Sequence, residues 1–398
     1  MDFTTEELLL KLQESGINVT EEEAQRFREH EVDGEALECG LTDTMSTTNP
    51  PEKVPYHPYL ALLGYTMYPT NAEYVQVVKA LILKYPFLAD KGGNGYNTWH
   101  QSLKRKFKLE RAPLIHENEV KKSKEKFGRK RTRELTECDR PSRRASSEFP
   151  SVSGEDASSI EQHVRVLHVQ YEKVNPDASL VEDRMQRTFS WRRKEIIGGM
   201  TVVDVLKKYP FLRSPRELCT EMDRMHPVNT ILCQRWRQNL TKIVPKVIEL
   251  AQGKSPLTKV HSAAREDILA DDLQDVDFRA ALILLPTLFK EKTERLFKTD
   301  AICPTPYPTV QLSDRDWETI LTRRVPVSVV VDGTEVCQGT GVEEGIIAAF
   351  SSYYVFNLAY PPYLKNTLTF LQRVVLNISE VGEKPLPITV TRMINLLY

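Results

Sequence analysis

The residues best placed to do chemistry lie in two cationic runs, Lys121-Lys122-x-Lys124-x-Lys126 and Arg129-Lys130-Arg131-x-Arg133. Ammonium and guanidinium groups clustered in this way attract polyanions, and nuclear import receptors read the same form. Three uses fit: an import signal, a contact with a nucleic-acid phosphate backbone, or a linker kept soluble by its charge. Just beyond, Arg143-Arg144-Ala145-Ser146 sets two arginines before a serine, the pattern that basophilic kinases accept. A phosphate on Ser146 would offset part of the adjacent positive charge.

The usual catalytic signatures fail. Gly92-Gly93-Asn94-Gly95 is followed by Tyr96-Asn97 and lacks the lysine-hydroxyl pair of a phosphate-binding loop. It also joins two expected helices, where a tight turn explains it. No Cys-x-x-Cys or His-x-x-x-His pair occurs. Cys219, His226 and Cys233 are spaced too widely for a zinc knuckle, and His163 and His168 fall off a shared helical face. No Gly-x-Ser-x-Gly elbow is present. The chain is therefore read as non-enzymatic, with no cofactor and no metal. Its six cysteines (Cys39, Cys138, Cys219, Cys233, Cys303, Cys337) read as free thiols.

Charge is distributed unevenly along the 398 residues, although the formal net charge is only -1. The first fifty residues carry about ten excess negative charges, and the stretch from Lys104 to Arg144 reverses the sign. The start, Met1-Asp2-Phe3-Thr4, lacks the basic and apolar regions of a secretory signal, and no apolar run approaches the roughly 20 residues that span a bilayer. The expectation is a nuclear or cytoplasmic chain, neither secreted nor inserted in a membrane.

The elements that must carry these groups read mainly as helices. Thr4-x-x-Glu7, Thr20-x-x-Glu23 and Thr70-x-x-Glu73 are capping boxes, in which side chains satisfy the free amides of a first turn. Val75, Val78, Leu81 and Ile82 form an apolar stripe after the third box. In the helix that follows, Trp99, Leu103 and Phe107 face a core, and Lys104, Arg105, Lys106 and Lys108 face solvent. Further on, Asp177 to Ile197 reads as an amphipathic helix around Trp191. Met185, Phe189 and Ile196 lie on its core side, with a second cationic stripe of Arg184, Arg187, Arg192, Arg193 and Lys194 left to solvent. Thr201-x-x-Asp204 and Ser214-Pro215 start two more helices. The string KYPFL closes a striped helix twice, at Lys84 to Leu88 and Lys208 to Leu212. Near the end, VPVSVVVDGTEVCQGT carries Asp332-Gly333 between two alternating runs, a strong hairpin signal.

The stretches EELLLKLQESGI, AQRFREHEVDGEAL and LTDTM resemble the first half of a sterile alpha motif domain. Phe27, Glu31, Val32, Asp33, Gly34 and Leu37 match the aromatic and acidic-apolar-Asp-Gly step before its third helix. The match stops at Pro50-Pro51, where the family continues into further helices. The family's long fifth helix supplies one of the two surfaces by which such domains join head to tail and is missing from the match, so the resemblance implies an interaction module and not a polymer. The wider pattern, YPxxAEY, TFSWRRKEII with LKKYPFL, and the hairpin before FxLxYPxxLKxTxxFLQ, resembles the sterile alpha motif domain-containing protein 3-like family across nearly the whole chain.

The expected architecture is a mainly α, multi-domain helical protein with a small α+β C-terminal domain containing one β-hairpin. Its parts are a partial sterile alpha motif (1–45), a proline-containing linker (46–66), a small helical module (67–110), a basic, serine-rich disordered linker (111–157), a helical domain (158–300) and the α+β domain (301–398). The expected function is that of a non-enzymatic intracellular adaptor with protein partners. The alternative is a nuclear, nucleic-acid-associated regulatory factor acting through the basic segment.

Overall fold

The computed structural model describes residues 68–111, 155–227, 230–266, 268–299, 305–380 and 383–398. The sterile-alpha-motif-like stretch, the cationic runs at 121–133 and Ser146 lie outside the described residues. In chain order the elements begin with helices α1 (Asn71–Lys84), α2 (Asn97–Glu110), α3 (Ala157–Tyr171), α4 (Ala178–Ile197), α5 (Val202–Lys208), α6 (Pro215–Met225), α7 (Leu232–Ala251), α8 (Leu257–Glu266) and α9 (Leu273–Leu288). Strands β1 (Phe297–Lys298) and β2 (Thr309–Leu312), helix α10 (Trp317–Thr322), strands β3 (Val327–Val331) and β4 (Thr334–Gly339), and helices α11 (Val342–Val355), α12 (Lys365–Phe370) and α13 (Ile388–Leu397) complete it. The fold is mainly α with a small α+β region, as the residue pattern implies.

Contacts divide the chain into two compact units, residues 1–135 with 384–398, and residues 136–383. In the smaller unit Thr70 caps α1 as its motif requires: the hydroxyl accepts the Glu73 amide at 3.3 Å, and the Glu73 carboxylate accepts the Thr70 amide at 2.6 Å. Tyr74 and Val78 of α1 pack on Leu103 and Phe107 of α2, with the Tyr74 and Phe107 rings edge-on at 5.5 Å. Lys106, expected in solvent, is buried, because it falls between core positions on a helix covered on more than one side. The chain's last helix supplies part of that cover. Asn97 Nδ2 donates to the Leu386 carbonyl at 2.9 Å, the Lys91 amide donates to Asn395 Oδ1 at 2.9 Å, and Asn395 Nδ2 donates to Asp90 at 3.1 Å. A Cβ at Gly92 would stand 2.9 Å from Ile394 Cδ1, so the glycine turn lets the two segments close together. Helix α13, placed by sequence in the C-terminal domain, thus packs with residues 70–111.

The larger unit joins residues 158–300 and most of 301–383 around one core. Its sheet has the order β1-β2-β3-β4, parallel between β1 and β2 and antiparallel otherwise. Asp332 and Gly333 take φ of 51° and 71°, the two positive values that a two-residue turn between twisted strands needs. Strands β1 and β2 add to the expected hairpin. Helix α11, buried along nearly its whole length, lies on this sheet and also packs on α6. A helix apolar on every side must be covered on every side, and each fully buried Ile or Phe contributes about 1.5–3 kcal/mol relative to exposure.

Helix α4 ties these layers with charge. Arg192 is fully buried and grips Glu221 of α6 through two bonds, Nε to Oε1 at 2.8 Å and Nη2 to Oε2 at 2.7 Å. Its remaining donors reach Thr188 Oγ1 at 2.8 Å and the Met185 carbonyl at 3.1 Å, and its plane stacks 5.1 Å from the Tyr209 ring centroid. Arg193 donates to the carbonyls of Tyr354 and Val355 at the C-terminus of α11. The expected solvent stripe around Trp191 is corrected accordingly. Arg192 and Arg193 are core, Arg184 and Arg187 pair with Asp183, Arg187 also pairs with Glu155, and Lys194 is exposed. Periodicity placed them near the helix's other face, but α4 is enclosed on two sides and the guanidiniums find buried acceptors there.

Both KYPFL strings take one conformation. Tyr85 and Tyr209 leave the helix with φ and ψ of -128° and 78°, and -123° and 73°, and each leads into a 3-10 turn at Pro86–Leu88 or Pro210–Arg213. The following proline excludes helical geometry from the tyrosine, which makes the string a stop signal in both places.

Burial acts to raise the Glu221 carboxyl, but Arg192 and then Arg224 outweigh it and hold the group below its ordinary value of 4.5. A depressed carboxyl contributes stability that is complete above its unfolded value and lost as pH falls through the folded one. Glu221→Gln is therefore expected to cost about 3–5 kcal/mol at neutral pH and to remove part of the acid-induced loss seen below about pH 4.5. Denaturant melts across pH check this, and an unchanged midpoint in the variant would refute it. Deleting 384–398 is expected to strip amide-exchange protection from residues 70–111 while residues 157–375 keep theirs.

Candidate functional site

At the N-terminus of α11 the larger unit opens a cleft of about 290 Å³, walled by α7, α9 and the residues leading from β4. Its position follows from Gly345. A Cβ there would meet Val327 Cγ2 at 2.7 Å and Val310 Cγ1 at 2.8 Å, so only glycine lets α11 lie this close to the sheet. The helix start is internally capped: Glu344 Oε2 accepts from the Thr340 amide at 2.8 Å and from its hydroxyl at 3.0 Å.

The walls are charged and mutually paired. Arg237 bridges Glu343 at 3.0 Å and Asp275 at 3.2 Å, and Arg324 stands 3.9 Å from the other Asp275 oxygen. Arg279 turns away to the carbonyls of Leu321 and Thr322, capping the end of α10. Burial raises the Glu343 carboxyl, against the pull of Arg237. Trp236 lines the cleft fully buried, and its indole Nε1 has no hydrogen-bond partner among the described residues. The volume lies at the bottom of the range for small-molecule sites, and the paired charges suit polar side chains of either sign.

Cys233 stands in the same wall, exposed, as the second residue of α7. Cys219, on the neighbouring α6, is buried, and Ser351 Oγ lies 3.9 Å from its sulfur. The Cys219 thiol is the leading influence lowering the Cys233 thiol, opposed by burial and by Asp223, Glu343 and Glu344. Cys233, followed by burial, holds the Cys219 thiol well above its ordinary value. Sequence spacing set the Cys219, His226, Cys233 trio aside as a zinc knuckle. The structure brings the two cysteines together, whereas the His226 ring stacks edge-on to Tyr354 at 5.3 Å. A fourteen-residue separation across a helix-turn-helix carries no motif, so only tertiary structure reveals the pair. Among the described residues, no group of three or more histidine, cysteine or acidic side chains is arranged to hold a metal ion, and no helix is long and apolar enough to cross a membrane.

A family profile for the helical domain of sterile alpha motif domain-containing protein 3 matches residues 160–214, the stretch that holds Arg192, Arg193 and the second KYPFL. The mouse protein of that name is 23% identical over 319 residues, 78% of this chain and 60% of its own length. The human protein is 22% identical over 320 residues, 78% of this chain and 59% of its own. The chain thus spans about 60% of the length of these relatives. No solved structure matches.

Gly345→Ala is expected to destabilise the larger unit by about 1–3 kcal/mol through overpacking against the sheet. Adding Val327→Ala should recover part of the loss, a coupling that denaturant melts of the two singles and the double measure; strict additivity would exclude the contact as the cause.

Proposed function

We propose that this sterile alpha motif domain-containing protein 3-like chain is a non-enzymatic adaptor that works by binding other proteins. In this reading the acidic N-terminal segment and the helical body each meet a partner, and the basic segment sets the chain's distribution between nucleus and cytoplasm. The observation that carries it is the match of Phe27, Glu31, Val32, Asp33, Gly34 and Leu37 to the sterile alpha motif step. That step stands in a chain similar, over 78% of its length, to proteins named for the motif.

The cations of the larger unit support this choice over polyanion binding. Arg192, Arg193, Arg235 and Arg279 direct donors to internal carboxylates or carbonyls, so the helix around Trp191 does not present a phosphate-binding stripe. The nucleic-acid reading then rests on Lys121, Lys122, Lys124, Lys126, Arg129, Lys130, Arg131 and Arg133, whose spacing alone favours it.

Binding of the full chain to nonspecific DNA and RNA across a salt series separates the two. The variant carries alanine at Lys121, Lys122, Arg129, Lys130, Arg131 and Arg133. The adaptor reading expects no retention of nucleic acid at low salt, and expects proximity labelling in cells to lose a reproducible set of proteins when residues 1–45 are deleted. Salt-steep binding that the alanine variant abolishes would replace it with the nuclear factor.

A further inference from the structure

We propose that the cleft at the start of α11 binds a monocarboxylate carried on a compact apolar body, held by free helix amides, the Trp236 indole and Arg324. This goes beyond the adaptor reading and does not depend on which proteins the chain binds.

Two independent observations meet in the cleft. The amides of Val342 and Glu343 open α11, a fourteen-residue helix whose N-cap, Gly341, has no side chain to accept them. Glu344, which could reach back, spends Oε2 on the Thr340 amide and hydroxyl, and neither first-turn amide has another acceptor among the described residues. Trp236, in the floor of the same cleft, is fully buried, and its indole N–H is also without an acceptor. A donor shut away from water is costly to leave unmade, and the open volume that Trp236 borders is where an acceptor can come to it. The unsatisfied groups here are all donors, so the group they lack is an acceptor, and the positive end of a helix favours one that carries negative charge.

The remaining walls set the size of that charge and the body behind it. Arg237, Arg279 and Arg324 stand against Asp275, Glu343 and Glu344. Arg237 is committed to Glu343 and Asp275, and Arg279 to the carbonyls of Leu321 and Thr322. Arg324 is the exception: its side chain is 71% exposed, and its contact with Asp275 is 3.9 Å, beyond hydrogen-bond reach. One available guanidinium in an otherwise balanced wall suits a single negative charge, whereas a phosphate dianion would meet the repulsion of the acids twice over. Phe278, Val342 and Ile347 complete the lining with Trp236, which fits an aromatic or branched aliphatic body behind the carboxylate. A volume of about 290 Å³ takes a small free acid or the last residue of a peptide, which present the same group.

Gly341 allows the site to be filled from within. A Cβ there meets nothing within 4 Å, and the φ of -174° is extended backbone that any residue adopts. Aspartate at this position would cap α11 with its own carboxylate, satisfying a first-turn amide while standing in the ligand's place.

The full chain is titrated with phenylacetate at low ionic strength and followed by tryptophan fluorescence, with phenylacetamide as the uncharged copy. Phenylacetate is expected to bind with a dissociation constant below about 1 mM, and the amide at least about ten times more weakly. Gly341→Asp should weaken binding by a similar factor while its denaturant midpoint holds or rises, which separates a blocked site from a damaged fold. Arg324→Gln should weaken binding without disturbing the core, and Trp236→Phe should abolish the fluorescence change. A pentapeptide ending in phenylalanine, with its C-terminus free or amidated, distinguishes the two sources: binding of the free form where phenylacetate fails assigns the site to a chain terminus. Equal binding of acid and amide, undiminished binding by Gly341→Asp, or binding of neither phenylacetate nor the free peptide would overturn the proposal.

Discussion

The larger unit is organised by one buried ion pair, Arg192 with Glu221. Removing two charges from water costs several kcal/mol per ion, and their attraction offsets this only when the remaining donors are also satisfied. Here they are: Thr188, the Met185 carbonyl and the Tyr209 ring complete the guanidinium, and Arg224 adds a third bond to the carboxylate. Such a pair adds little over apolar packing of the same volume. Its effect is to penalise every arrangement that leaves either charge alone, and that fixes α4 against α6 in one register.

The same device recurs at helix ends. Arg193 closes α11, Arg279 closes α10, and Arg235 with Asn239 reach the carbonyls of Leu376 and Val375 beyond α12. Glu291 does the converse, accepting the Asn366 and Thr367 amides at the start of α12. Helix termini carry free backbone groups that cannot be left dry, and in this core many of them are satisfied by side chains from distant segments. The cleft inherits that logic, with its arginines and acids paired across α7, α9 and α11.

This explains which features were legible in the sequence. Caps that act within one turn, at Thr70 and Thr201, stand where residue spacing puts them, as do the Asp332-Gly333 turn and the two proline stops. Ser214 starts α6 without a side-chain bond of its own, the helix relying on Pro215. The partners of Arg192, Arg193 and Lys106 could not be read, because periodicity assigns a charged residue to solvent and is silent on which distant helix will enclose it. The thiol pair and the docking of α13 onto α2 fail for the same reason: each is a contact between segments with no local signature. The cationic runs and the half-motif remain sequence observations, outside the described residues.

Helices α1 and α2 have a partner that arrives late. Residues 71–110 belong to the same unit as 388–397, and the larger unit is threaded between them as an insertion. At a synthesis rate of about 5–20 residues per second, the ribosome needs on the order of tens of seconds to bridge that interval. Through it the Asn97 donor that Leu386 and Thr391 will satisfy stays open. The smaller unit can therefore close only after the whole inserted segment has been made, and a premature stop within the insertion leaves α1 and α2 without that partner.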